Sequence, residues 1–153
     1  MPLPELTASA VMIGANADSW REAVERAGEA LVRSGATTAD YTPRMIQVID
    51  EFGAYIVIAP GLALAHARPG ADVIRDGLSV VTLAEPVLFG HPHNDPVNVV
   101  IGLAVTTSDA HVTTVAELAN VFNDPAAIPA LASAATPEDV LGIFAERGRR
   151  PGR

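Results

Sequence analysis

No cysteine and no lysine occurs anywhere in these 153 residues. Without cysteine there is no disulfide, no thiolate metal site and no thiol nucleophile. Without lysine there is no Schiff-base chemistry, no anchor for pyridoxal phosphate and no lysine-dependent P-loop. Aromatic residues make up only 5% against 49% hydrophobic, so the core has to be built from Ala, Val, Ile and Leu. No uninterrupted apolar run is long enough to suggest a membrane-spanning helix. The first residues lack the basic start and apolar block of a secretory signal, and the expectation is a cytoplasmic protein with no direct membrane insertion. A Gly-x-Ser-x-Gly elbow, a His-Glu-x-x-His helix and a glycine-rich nucleotide fingerprint are all missing.

The charge is lopsided. All ten positive residues are Arg, and Arg147, Arg149, Arg150 and Arg153 crowd the last seven positions. Residues 1–146 hold all 18 acids against six Arg, a net of −12. Such a body repels nucleic acid, whose binding rests on neutralising phosphates. The closing "RGRRPGR" reads as a frayed basic end. A chain of this length suits one domain with a full core, assigned to residues 1–147, with 148–153 as a basic, disordered tail.

Periodicity divides the domain into strands and helices. "AVMIG" (10–14) reads as a strand. Ser19 with Glu22 forms a capping-box pattern, Trp20, Val24, Ala27 and Leu31 follow at helical spacing, and Gly35 stops the helix. Thr37 and Asp40 open a second helix, with Tyr41, Met45, Val48 and Ile49 inward and Gly53 as its stop. "AYIVIA" (54–59) is β-branched and apolar, hence a buried strand. "LSVVTLAEPVLFG" (78–90) reads as two short strands broken at Glu85-Pro86, and "HPHNDPV" (91–97) as a loop. "VNVVIGLAVT" (97–106) is the most strand-like run. Ser108 or Asp109 then caps a third helix with Val112, Val115, Leu118 and Phe122 inward. Thr136, Pro137 and Asp139 mark the start of the last helix. Strands and helices mixed without strict alternation indicate an α/β sandwich with a mixed sheet.

Four histidines are the candidate reactive groups: His66, His91, His93 and His111. His66 ends the small apolar run "APGLALAHARPG" (59–70), between a Pro-Gly pair on each side, where a buried element meets a loop. His111 falls in the first turn of the third helix, where the helix dipole favours a neutral imidazole and a nearby anion. Two such histidines could hold a phosphoryl group between them. His91-Pro92-His93 invites a different reading, in which the pair joins His66 or His111 as nitrogen ligands of a zinc ion.

"YIVIAPGLALAHARP", "LSVVTLAEPVLFGHPHNDPVNVVIGLAV" and "DAHVTTVAELANVF" resemble, in order, the active-site segment and the following strands and helix of one family. It is the enzyme IIA component of the sugar phosphotransferase system, type 2, the mannitol/fructose-like class. "FGH..NDPV" and "YIVIAPG" look closest to its ascorbate-type branch. The resemblance implies a mixed five-stranded sheet flanked by helices in a single-domain α/β sandwich. It implies that His66 accepts a phosphoryl group from the phosphocarrier HPr and passes it to a cysteine of an enzyme IIB partner, in series with a membrane enzyme IIC. It implies a supporting role for His111, and no cofactor. Ala65 stands where the family usually has Pro, and Ala54 where the ascorbate branch tends to have Pro. Ile49-Asp50-Glu51 replaces the Arg-Glu pair of mannitol-type members, and Arg68 is the candidate phosphate-facing cation in its place. Two rival expectations remain: a regulatory protein of the same fold, and a metal-dependent hydrolase built on His91, His93 and His111.

Overall fold

Short apolar runs and capped amphipathic stretches fold, in the computed structural model, into a sheet covered on both faces. The structure describes Pro4 and residues 6–148. The tail expected from residue 148 lies, apart from Gly148, outside those described residues. In chain order the elements are β1 (Val11–Ala15), α1 (Trp20–Arg33), α2 (Tyr41–Phe52), β2 (Val57–Ala59), β3 (Leu62–His66), β4 (Gly77–Val87), β5 (Val97–Ala104), α3 (Ser108–Phe122), α4 (Ala127–Ala132) and α5 (Pro137–Gly148). The sheet order is β1-β4-β5-β3-β2. β1 with β4 and β5 with β3 are parallel, while β4 with β5 and β3 with β2 are antiparallel. This is the mixed, five-stranded α/β architecture expected from the sequence.

The two faces are sorted by strand parity, since successive side chains point to opposite sides. Ala63, Ala65, Val81 and Val100 pack with Val24, Leu31, Tyr41 and Met45 of α1 and α2. Leu62, Leu64, Val80, Val99 and Ile101 pack with Leu118, Leu131, Val140 and Phe144 of α3, α4 and α5. Each buried Leu or Val contributes about 1.5–3 kcal/mol. His66 has the parity of Leu62 and Leu64, so the sheet aims it toward the layer that carries α3.

Helix ends follow local chemistry. The Glu22 N–H donates to Ser19 Oγ at 3.3 Å, and Glu22 Oε1 reaches back to the Asp18 N–H at 2.6 Å, one residue before the usual target. At the other end of α1, Gly35 takes φ +85°. The Ala36 N–H there reaches Leu31 O and the Gly35 N–H reaches Val32 O, both at 3.0 Å. That is the paired bonding of a glycine-closed helix. In α5 the Asp139 N–H donates to Thr136 Oγ1 and the Asp139 carboxylate accepts from the Ala135 N–H.

Four expectations need correction. Residues 54–59 are not one buried strand. Ala54–Ile56 form a 3-10 turn, and β2 is a three-residue edge strand with Tyr55 and Ile58 exposed. An edge strand has a neighbour on one side only, so half its apolar pattern faces outward. Residues 77–87 form one strand rather than two, irregular between Thr82 and Val87. β1 reaches only as far as Leu83, so Pro86, which lacks an N–H, lies beyond that neighbour on an exposed stretch. Thr107, not Ser108 or Asp109, caps α3 by accepting from the Ala110 N–H at 3.0 Å. Finally, Val112 is 69% exposed. At about 100° per residue it lies roughly 120° round the helix from Leu118, which faces the sheet.

Candidate active site

His66 closes β3 opposite Leu103 of β5, the last paired position of that parallel ladder. Its Nδ1 lies 2.9 Å from the Leu64 carbonyl oxygen. A carbonyl only accepts, so Nδ1 carries the proton and Nε2 keeps its lone pair. That carbonyl is open to the ring because β2 pairs no further along β3 than Ala63. Burial, and to a lesser degree the neighbouring His111, hold the imidazole below its ordinary range against the opposing pull of the Leu64 bond. The ring is therefore neutral near pH 7, with a basic nitrogen at Nε2.

His111 meets it from α3. The two rings are 5.1 Å apart between centroids and inclined at 41°. Thr107 caps the turn that carries His111, and the His111 N–H closes onto Thr107 O at 3.2 Å. The segment before the cap is held by Asp76, whose carboxylate accepts from the Thr106 N–H at 2.7 Å and the Thr106 hydroxyl at 3.0 Å. Both histidines open into a recess of about 360 Å³ walled by Val48, Phe52, Tyr55, Arg68, Ser108 and Val112. Tyr55 stands edge-on to His66 at 6.1 Å. Two larger recesses elsewhere contain no histidine.

Arg68, the candidate cation, lines the recess. Among the described residues its guanidinium takes part in none of the three ion pairs, which join Arg21 to Asp50, Arg26 to Glu29 and Arg44 to Asp72. The Arg68 backbone is fixed instead, its carbonyl accepting from the Arg44 guanidinium at 2.8 Å.

His91 and His93 sit elsewhere. Their loop joins the start of β3, where the Gly61 N–H donates to Asn94 O, and His66 is at the far end of that strand, about 16 Å away at 3.3 Å per residue. His91 Nδ1 accepts from the backbone N–H groups of His93 at 3.1 Å and Asn94 at 2.9 Å. Asp95 accepts from the N–H groups of Phe89, Gly90 and His91. No group of three or more potential metal ligands occurs among the described residues. The structure thus separates the residues that a zinc site on His91, His93 and His111 would need together.

Several site residues were not legible beforehand. Phe52, Tyr55 and Val112 carry the apolar pattern of core residues, and exposure alone distinguishes them. Tyr41, Arg44 and Asp72 shape the backbone that leaves His66. Tyr41 was assigned to the inward face of α2, but nothing in its spacing announces a bond to the far strand.

Residues 5–147 match the family described as the phosphoenolpyruvate-dependent sugar phosphotransferase system, EIIA 2. The chain is 34% identical over 137 residues, 89% of each chain, to the ascorbate-specific PTS system EIIA component of Salmonella choleraesuis (strain SC-B67). The crystal structure of a PTS IIA, PtxA, from Streptococcus mutans is similar at 35% identity and a TM-score of 0.84, covering 93% of this chain and 90% of that one. A complex of enzyme IIA-Mtl with phosphorylated enzyme IIB-Mtl from Escherichia coli is similar at 27% identity and a TM-score of 0.82, covering 94% and 99%.

Proposed function

This chain belongs to the phosphoenolpyruvate-dependent sugar phosphotransferase system EIIA 2 family, and from that membership we propose that His66 is the residue on which it is phosphorylated. The protein is a phosphotransferase relay that passes its phosphoryl group to an enzyme IIB. The observation that carries the assignment to His66 is its tautomer. Nδ1–H is spent on the Leu64 carbonyl and Nε2 keeps its lone pair, in a ring whose centroid lies 5.1 Å from that of His111.

Each transfer is a displacement at phosphorus. His66 Nε2 attacks the phosphorus of a phosphohistidine on HPr, a new N–P bond forms, and the donor's N–P bond breaks with its electron pair returning to the donor imidazole. As Nε2 gives up its lone pair, positive charge spreads into the His66 ring, and the Leu64 carbonyl at Nδ1–H stabilises it. In the second step a cysteine thiolate of enzyme IIB attacks the same phosphorus, and His66 leaves as the neutral imidazole. Phosphoryl transfer asks mainly for alignment and charge stabilisation. In this reading His111 and Arg68, which both line the recess, meet the phosphoryl oxygens. The exposed apolar rim of Phe52, Tyr55 and Val112 suits the transient docking of two successive partners.

The transported solute is ascorbate or a related acid, a reading supported by the 34% identity to an ascorbate-specific component. The solute itself does not touch this chain, so specificity lies in which enzyme IIB the rim accepts. No helix among the described residues is long and apolar enough to cross a membrane, which accords with a cytoplasmic carrier serving a separate membrane enzyme IIC.

The test is labelling by phosphorylated HPr, without ATP and in the presence of EDTA. One phosphoryl group is expected on His66, labile in acid and stable in base. His66→Ala should abolish it, while His91→Ala and His93→Ala should be labelled like the wild type. A label that persists in His66→Ala would overturn the assignment.

A further inference from the structure

Tyr41 is completely buried in the first turn of α2, yet its hydroxyl lies among three backbone groups of the sheet. It accepts from the Ala67 N–H at 2.9 Å. It lies 2.7 Å from the Leu103 carbonyl and 3.2 Å from the Ala67 carbonyl, and its single proton goes to the nearer one. Ala67 follows His66 directly, and Leu103 is the partner of His66 in the ladder.

The parallel register makes this arrangement unusual. The Val99 N–H donates to Gly61 O, so the odd-numbered residues of this segment direct their backbone groups toward β5. The next bond in that series would run from the Ala67 N–H straight to Leu103 O. The Tyr41 hydroxyl stands in its place, receiving from one group and donating to the other. A side-chain oxygen has been spliced into the ladder at the residue after His66, bridging Ala67 and Leu103 in place of a direct backbone bond. Burial pushes the phenol up to about 12, so it stays a donor throughout the working range.

The same turn of α2 fixes the chain beyond. Arg44 lies over the Tyr41 ring at 5.3 Å and grips Asp72 through two bonds of 2.7 and 2.6 Å. Together these contacts set the direction in which the chain leaves His66.

We propose that Tyr41 is a positioning residue for phosphoryl transfer: its hydroxyl, spliced between Ala67 and Leu103, sets the pose of His66 Nε2 toward His111 and the incoming partner. The proposal rests on His66 being the phosphorylated residue, and the experiment separates the two. If wild-type protein is not labelled on His66, the functional assignment fails. If it is labelled, Tyr41→Phe is compared with it in single-turnover transfer from the phosphorylated protein to enzyme IIB. The rate at saturating enzyme IIB should fall about tenfold or more, with the half-saturating concentration unchanged. The ring 15N resonances of His66 should shift while those of His91 stay. Ser79→Ala, which removes a buried hydroxyl bonded at 2.8 Å to Ala27 O, serves as the comparator that loses stability without losing rate. A Tyr41→Phe protein that transfers within twofold of the wild type and keeps its His66 resonances would overturn the proposal. Should Tyr41→Phe fail to fold, 3-fluorotyrosine inserted at position 41 keeps ring and hydroxyl but strengthens the donor. It should then shift the His66 resonances and change the transfer rate, and no change in either would equally overturn it.

Discussion

Two pairs of histidines lie at opposite ends of β3, and their ring nitrogens are used in opposite ways. In His66 the Nδ1–H donates to the Leu64 carbonyl, and Nε2 is left basic. In His91 Nδ1 accepts from the backbone N–H groups of His93 and Asn94, so the ring's proton sits on Nε2 and its one lone pair is engaged. His66 thereby keeps the basic nitrogen that the proposed phosphoryl transfer needs, while Nδ1 of His91 is taken up in closing its turn. The partners differ too. The His66 and His111 rings approach to 5.1 Å across two elements, while His91 and His93 stand 6.3 Å apart within one turn. In both cases the deciding groups are backbone carbonyls and amides within three residues of the ring, so local backbone geometry selects which ring nitrogen carries the proton.

The largest expected effect after loss of His66 itself is on His111. His111→Ala should still fold and accept label but hand its phosphoryl group to enzyme IIB about a hundredfold more slowly, the usual scale for losing one charge-stabilising donor. Rapid-quench transfer measurements on His111→Ala beside His93→Ala would break the contrast if the two behaved alike.

A pH series sharpens it further. The folded His66 titrates below the ordinary histidine value of 6.5 because burial disfavours its charged form. The rate of acceptance from HPr should therefore stay level as pH falls to about 6.5 and drop only below that. Stability carries the same sign. In the window between the folded value and 6.5 the unfolded chain binds a proton that the folded chain does not. The contribution of His66 is present above about 6.5 and is lost as pH falls through the folded value. Thermal unfolding of wild type beside His66→Gln, at neutral and mildly acidic pH, reads this directly: the wild type should lose more.

The smallest effect belongs to the other pair. His91→Ala leaves two N–H groups to water and should cost about 1 kcal/mol, a fall of roughly 2–4 °C in Tm for a chain of this size, with transfer unchanged. A transfer defect in that variant would erase the distinction between the two ends of the strand.

Much of this could be read along the chain because the causes are local. The caps at Ser19 and Thr136 act within three residues, as does the glycine stop at Gly35. The run Leu62-Ala63-Leu64-Ala65-His66 carries its own parity. The reading faltered where an element's surroundings, not its composition, set the answer. Tyr55 and Ile58 have a strand-like pattern but lie on an edge, Pro86 is tolerated only because β1 ends at Leu83, and Val112 belongs to an apolar stretch of α3 that the sheet does not reach.

The sequence by itself determined the element types, the two-sided α/β plan and the placement of His66 at the mouth of a buried strand. Periodicity and capping chemistry operate over a turn or two of backbone, so a linear chain displays them. Only the tertiary structure decided that His111 would face His66 from 45 positions away, that the Leu64 carbonyl would select its tautomer, and that a tyrosine from α2 would stand between β3 and β5. Those outcomes depend on β3 lying parallel beside β5, with α2 and α3 on opposite faces of the sheet. That pairing is stabilised by the apolar surface buried across the whole sheet, and no short stretch of residues encodes it.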